Sequence, residues 1–280
     1  MSIKSVFTIG FLILSFQYLS AQDIVTTKKF TSKNKGKFFF SFAGNRENYT
    51  KSDIHFKGAD YDFTLQNVVA KDKPKGWHID YINPLRMTIP QTNLRLGYFI
   101  SDHYSIAIAV DHMKYVMRQN QVVNSNGFYP NPGSYGELQP NNQLLLTEDF
   151  LTFEHTDGLN YVHTEVSRFD DFSNIFKIAN TDKFQINLTE GIGAGILYPK
   201  TNAKLLGNER HDDYNIAGYG VSAKVGLNFT FFKYFFLQTE LKGGYINMSN
   251  IRTTASATDK AEQEFFYLQR IIAFGGIFNI

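Results

Sequence analysis

Residues 217–231 alternate strictly. Tyr219, Val221, Ala223, Val225, Leu227, Phe229 and Phe231 share one parity, while Gly220, Ser222, Lys224, Gly226, Asn228 and Thr230 share the other. Successive side chains of a strand leave on opposite faces, so this segment predicts a strand with one apolar, aromatic-ended face and one small, polar face. The run is longer than ten residues, turns at Phe232-Lys233, and resumes to Tyr245. That length fits a strand hairpin able to cross a bilayer.

The same pattern recurs along the chain. Strands are expected over 37–45, 91–100, 104–116, 159–169, 184–198 and 264–280, in addition to the central hairpin. In the first of these, Phe38, Phe40 and Phe42 share a parity that Phe39 breaks. In 91–100, Leu94, Leu96, Tyr98 and Ile100 oppose Asn93, Arg95, Gly97 and Phe99. Residues 49–90 hold Pro74, Pro84 and Pro90 among many aspartates, so a long loop is expected there, with strand extensions around 61–65. Residues 119–143, dense in Asn, Gly and Pro, read as a second loop, disordered or folded over the mouth, within a poorly patterned stretch 118–157. Further loops are expected over 199–215 and 247–262, and a tight turn at Ser101-Asp102-His103.

About eight strands with connections of alternating length predict an all-β fold: a single closed antiparallel transmembrane β-barrel, an up-and-down meander with long outer loops and both ends on the periplasmic side. No linker divides the chain, so 22–280 is expected to be one domain. The beginning has a secretory layout: Lys4, an apolar block over 6–14, Phe16, then Leu19-Ser20-Ala21-Gln22. A signal peptide over 1–21 is therefore expected. No stretch reaches the roughly 18 apolar residues of a membrane helix, which leaves strands as the only route across a bilayer.

Composition narrows the functional classes. The chain has 27 Phe and 16 Tyr against one Trp, and no Cys, which excludes a disulfide scaffold and thiol chemistry. A net charge of +2, with no basic stripe, offers no surface for nucleic acid.

As a pattern over nearly its whole length, the chain resembles the small OmpA/OprF-type outer-membrane barrels, especially those common in Bacteroidota. The last strand, with Phe266, Leu268, Ile272, Phe274, Phe278 and Ile280 on one parity, resembles the C-terminal strand that the barrel-assembly machinery reads, with Ile280 where an aromatic residue is usual. The resemblance implies residence in the outer membrane among its lipids. It leaves no room for the peptidoglycan-binding domain that follows the barrel in some members.

An eight-stranded barrel is just wide enough for its own side chains to fill. The inner parity carries Arg95, Asp111, Glu165, Lys224, Glu240 and Lys242, with His163 and Asn228. Buried charges are costly unless paired, so the even mix of signs predicts a salt-bridge network in a self-plugged lumen. Glu190 has the outward parity of Ile186 and Leu188. A bulge at Gly191-x-Gly193-x-Gly195 would turn it inward.

Catalytic and metal signatures are weak. His163 and Ser167 share a face but stand four residues apart, roughly 13 Å along a strand, beyond hydrogen-bond reach. His112, expected to face lipid near the outer rim, has Val110 and Lys114 two positions away. Glu209, His211, Asp212 and Asp213 are metal-ligand types without a known spacing, as are Asp53, Asp60 and Asp62. No catalytic residue, cofactor or metal is expected. The reading is a non-enzymatic outer-membrane protein with a structural or surface-binding role for its outer loops. A lipid-modifying acyl hydrolase or transferase and a narrow solute channel stand as alternatives.

Overall fold

The computed structural model describes residues 33–73 and 91–279 and consists of strands, turns and loops, with no helix among the described residues. The expected signal peptide and residues 74–90 of the expected first long loop lie outside the described residues; the earlier part of that stretch is largely strand rather than loop. In chain order the strands are β1 (Phe38–Tyr49), β2 (Ser52–Lys57), β3 (Asp62–Val68), β4 (Ala70–Lys71), β5 (Thr92–Phe99), β6 (Tyr104–Met117), β7 (Val122–Phe128) and β8 (Glu137–Gln139). They continue as β9 (Gln143–Leu145), β10 (Leu151–Asp171), β11 (Phe184–Leu197), β12 (Asn202–Leu205), β13 (Gly218–Phe231), β14 (Phe235–Arg252) and β15 (Lys260–Phe278).

Eight of these form a closed ring. β1, β5, β6, β10, β11, β13, β14 and β15 pair in that order, every pairing antiparallel, and β15 returns to β1 from Phe38↔Phe278 to Tyr49↔Tyr267. Closure removes the free sheet edges. The partners Tyr104, Arg168, Glu190, Val225, Leu241, Arg270 and Arg46 form a continuous path across seven strands. This path begins at the first residue of β6 and ends deep inside β1. The strands are therefore strongly tilted, as closing eight strands requires.

Outside the ring, large apolar side chains are bare: Leu96 is 56%, Ile108 67%, Ile192 68% and Ile272 63% exposed. Aromatic residues edge this band. Tyr104, Phe235 and Phe278 lie at the end with tight turns, and Tyr198, Tyr219 and Phe266 lie toward the end with longer connections. Twelve residues separate Phe266 from Phe278, so at about 3.3 Å per residue and a tilt near 40° the edges stand roughly 30 Å apart.

At the loop end the ring strands overshoot the band. The first residues of β15 pair with β2, and the sheet continues through β3, β7, β9 and β8, while β12 joins β10 and β4 joins β6. Phe56, Phe63, Phe150, Phe153, Tyr115 and Tyr161 are at the centre of a large apolar core under this sheet. The stretch 119–143 is thus neither disordered nor simple loop: Val122–Phe128 pairs with β3 and Gln143–Leu145 with β7. β10 begins at Leu151 rather than near 159. Its pairing with β6 shifts between His155 and Leu159, where Gly158 takes a φ of 136°. This irregularity breaks the alternation that made the lower half of β10 readable.

Candidate functional site

The inner parity of the ring strands brings the six charged side chains into one cluster. Arg95 on β5 donates to both carboxylate oxygens of Glu240 on β14, at 2.6 and 2.8 Å. Its Nε lies 3.4 Å from Glu165 on β10. Lys224 on β13 sits 2.6 Å from Glu165 and 3.7 Å from Glu240. Lys242, two residues beyond Glu240, contacts Asp111 on β6 at 2.5 Å and Glu165 at 3.7 Å. All six side chains are at most 3% exposed. Three cations thus face three carboxylates. The network is shaped by the tilt: residues far apart in sequence reach one level of the lumen because each strand enters it at a different height.

His163 closes one side of the cluster. The His163 Nε2 lies 3.0 Å from the Lys242 ammonium and 3.3 Å from the Asp111 carboxylate, and the ring stacks on Tyr161 at 4.2 Å between centroids. Amides extend the network in both directions. Above, Asn93 donates to Asp111 at 2.5 Å and Gln269 to Glu47 at 2.9 Å. Below, Gln238 donates to Glu240 at 2.6 Å, and Asn228 to Gln238 at 2.7 Å. Sequence reasoning named Asn228 but gave Asn93, Gln238 and Gln269 no role. Their signal was parity, since Asn93 is two residues from Arg95 and Gln238 two from Glu240.

Both ends of the charged layer are closed by apolar groups. At the turn end Phe39, Phe99, Phe236 and Ile277 pack together. Phe39, which broke the outward aromatic pattern, is a lumen residue for this reason. Between this plug and the ionic layer lies a cavity of about 20 Å³, room for one water. At the loop end the large core of Tyr115, Tyr161 and Tyr267 covers the cluster.

The residues weighed for chemistry do not assemble. Ser167 donates to Glu165 at 3.2 Å, away from His163. His112 is 6% exposed and meets the Asn160 amide oxygen at 2.8 Å, so it does not face the surroundings at the rim as expected. His211 lies 3.5 Å from Asp213, while Asp212 pairs with Lys200 at 3.3 Å. Among the described residues no group of three or more His, Asp or Glu is arranged to hold a metal. Glu190 keeps an unshifted register to both Arg168 and Val225. No bulge intervenes, and the carboxylate is on the outer wall.

Above the band, two regions show charge tuning. The His55 ring meets Asp62 at 2.8 Å and lowers its carboxyl below the ordinary range. His155, in the part of β10 beyond the apolar band, is fully buried against Tyr115 and Phe153, and burial pushes it down to about 3.

No protein-family model matches the chain, and no curated protein matches it. Among solved structures, it is similar to the outer membrane protein OprG from Pseudomonas aeruginosa, at 10% identity and a TM-score of 0.38 over 90% of this chain and 100% of that one. It is also similar to the N-terminal β-barrel domain of OprF from the same organism, at 9% identity and a TM-score of 0.29, covering 87% of this chain and 98% of that one. A third is Ail, the attachment invasion locus protein of Yersinia pestis, at 10% identity and a TM-score of 0.31, covering 87% and 99% respectively.

Proposed function

We propose that this chain is a non-enzymatic integral outer-membrane β-barrel protein that acts at the cell surface through the sheet built by β2, β3, β7, β9 and β8. One observation carries the reading: the ring is inside-out. Arg95, Glu165, Lys224 and Lys242 are buried within it, while Ile108, Ile192 and Ile272 are more than half bare on its outer wall. Such a wall in water would expose a continuous apolar belt far larger than soluble monomers carry. In a bilayer the same belt, edged by aromatic residues and roughly 30 Å tall, matches the hydrocarbon thickness.

On this reading the ion-paired lumen is a structural plug, and the outer-membrane lipids are the immediate partners. Export uses the signal peptide over 1–21, and the strand ending near Phe278 is the segment offered to the barrel-assembly machinery. The folded outer sheet is the recognition surface, since it projects past the band and is held there by a core it shares with the upper parts of the ring strands.

The test is migration and fractionation of the full chain. Unboiled protein is expected to run faster on a denaturing gel than boiled protein and to sediment with the outer membrane. A soluble chain with no heat-dependent shift overturns the barrel. Planar-bilayer recordings are expected to show no stable ion steps, because apolar layers close both ends of the lumen.

A further inference from the structure

The outer wall carries one arrangement that the anchoring role does not explain. Arg46 on β1 and Arg270 on β15 stand directly opposite each other, both pointing outward and both exposed. Like charges in directly opposed positions destabilise a sheet. Neither guanidinium reaches a carboxylate among the described residues. Arg270 donates to the Asn48 amide oxygen at 3.3 Å, and Arg46 folds back to the carbonyl of Asn45 at 2.6 Å. The contrast is Arg168 on the same wall, which holds Asp170 at 2.8 Å.

The position of the pair is as informative as its charge. Each arginine is eight residues from the turn-end edge, Arg46 from Phe38 and Arg270 from Phe278, which places both roughly 20 Å up a band roughly 30 Å tall. They therefore lie on the loop-end side of its middle, with stems long enough to carry the charged heads further toward that edge. Below them are Phe42, Ile272 and Phe274, with the Phe42 and Phe274 rings 5.6 Å apart. Beside them is Leu241, and above them Leu268 and Phe266 are 46% and 60% exposed. A ligand that satisfies both guanidiniums in this setting has an anionic head and apolar chains.

We propose that Arg46 and Arg270, with Asn48, bind the phosphate of an outer-leaflet lipid whose acyl chains lie along Phe42, Ile272 and Phe274. Two planar forks facing one tetrahedral anion offer several charge-assisted hydrogen bonds and relieve the repulsion between the arginines. Glu264, an acid on the same outward parity of β15, is six residues further up and is taken by the Tyr245 hydroxyl and the Asn247 amide, so it does not compete for the pair.

This inference rests on the membrane reading, and the experiment separates the two. The full chain is refolded into phosphatidylcholine vesicles containing lipid A, either with both phosphates or dephosphorylated, then extracted in mild detergent and weighed with its retained lipid by native mass spectrometry. The wild type is expected to retain the phosphorylated form selectively. Arg46→Gln and Arg270→Gln are each expected to lower retention about ten-fold, and the paired lysine variants to keep part of it. Heat-dependent gel migration verifies that each variant is folded. Equal retention of both lipids, unchanged retention by the double glutamine variant, or displacement by inorganic phosphate at equal concentration overturns the lipid site and leaves the barrel standing. A wild-type chain that does not enter the vesicles overturns both.

Discussion

Arg95 and Glu240 are 145 residues apart in the chain and meet through two parallel hydrogen bonds of 2.6 and 2.8 Å in the middle of a closed ring. Removing one partner leaves the other charged and buried. Glu240→Leu is expected to destabilise the fold by about 3–5 kcal/mol, and Arg95→Met by a similar amount. The double variant is expected to recover much of that loss. Urea unfolding in vesicles, read as a double-mutant cycle, checks the coupling. Additive losses would mean that the pair is not the unit the geometry describes.

Glu190 gives a prediction of opposite sign. It is on the outer wall, six residues from Phe184, in a strand whose register is unbroken. On the membrane reading this carboxylate faces lipid, which is unfavourable, so Glu190→Leu is expected to stabilise the ring by about 1 kcal/mol. Were a bulge to turn it into the lumen, the same substitution would destabilise. The direction of the shift in the urea midpoint separates the two arrangements.

The outer core is expected to be acid-sensitive through His155. Its folded value of about 3 lies below the ordinary 6.5 because burial disfavours the imidazolium. Between those values the unfolded chain binds a proton that the folded chain does not. Stability is therefore complete above pH 6.5 and falls as pH drops toward 3, by up to about 4 kcal/mol. Limited proteolysis of the outer sheet at pH 4.5 and 7.5 reads this directly. His155→Phe is expected to flatten the dependence.

Gly195 marks where β10 and β11 approach too closely for a side chain. A Cβ there would lie 2.0 Å from the Val162 carbonyl oxygen and 2.4 Å from the His163 Cα. Because the obstacle is backbone, Gly195→Ala has to spread the strands, at a cost of about 1–3 kcal/mol. Gly243, where the nearest atom is at 3.9 Å, is the control expected to accept alanine more easily on steric grounds. Thermal or urea midpoints of the two variants give the comparison.

The ring was legible because it obeys one local rule. In 217–245, inner and outer residues alternate without interruption, and the turn falls at Phe232 and Lys233, both at positive φ. The charged cluster was legible for the same reason, since parity alone assigns Arg95, Lys224 and Glu240 to one face. Parity does not tell which cation meets which acid, because that depends on the tilt of the ring. The outer sheet was illegible for a different reason. Val122–Phe128 contains Asn124, Asn126 and Gly127, residues that mark turns, and its pairing partner Asp62–Val68 lies some sixty residues earlier. Strand order there comes from burial of Phe63 and Val123 in a shared core, which no local pattern announces. His112 was misplaced by counting parity outward past Val110, where the wall is no longer bare.

The lumen pairs also constrain how the molecule can come into being. Asp111 waits for Lys242, 131 residues later, and Arg95 waits for Glu240. On the membrane reading, a hairpin of β5 and β6 entering lipid by itself would carry Arg95 and Asp111 without Glu240 and Lys242, their closest partners in the finished ring, so stepwise insertion from the N-terminus is disfavoured. Contact order this high slows folding and makes it cooperative. On the membrane reading, the charges that seal the finished wall therefore favour entry of a ring whose last strands are already in place.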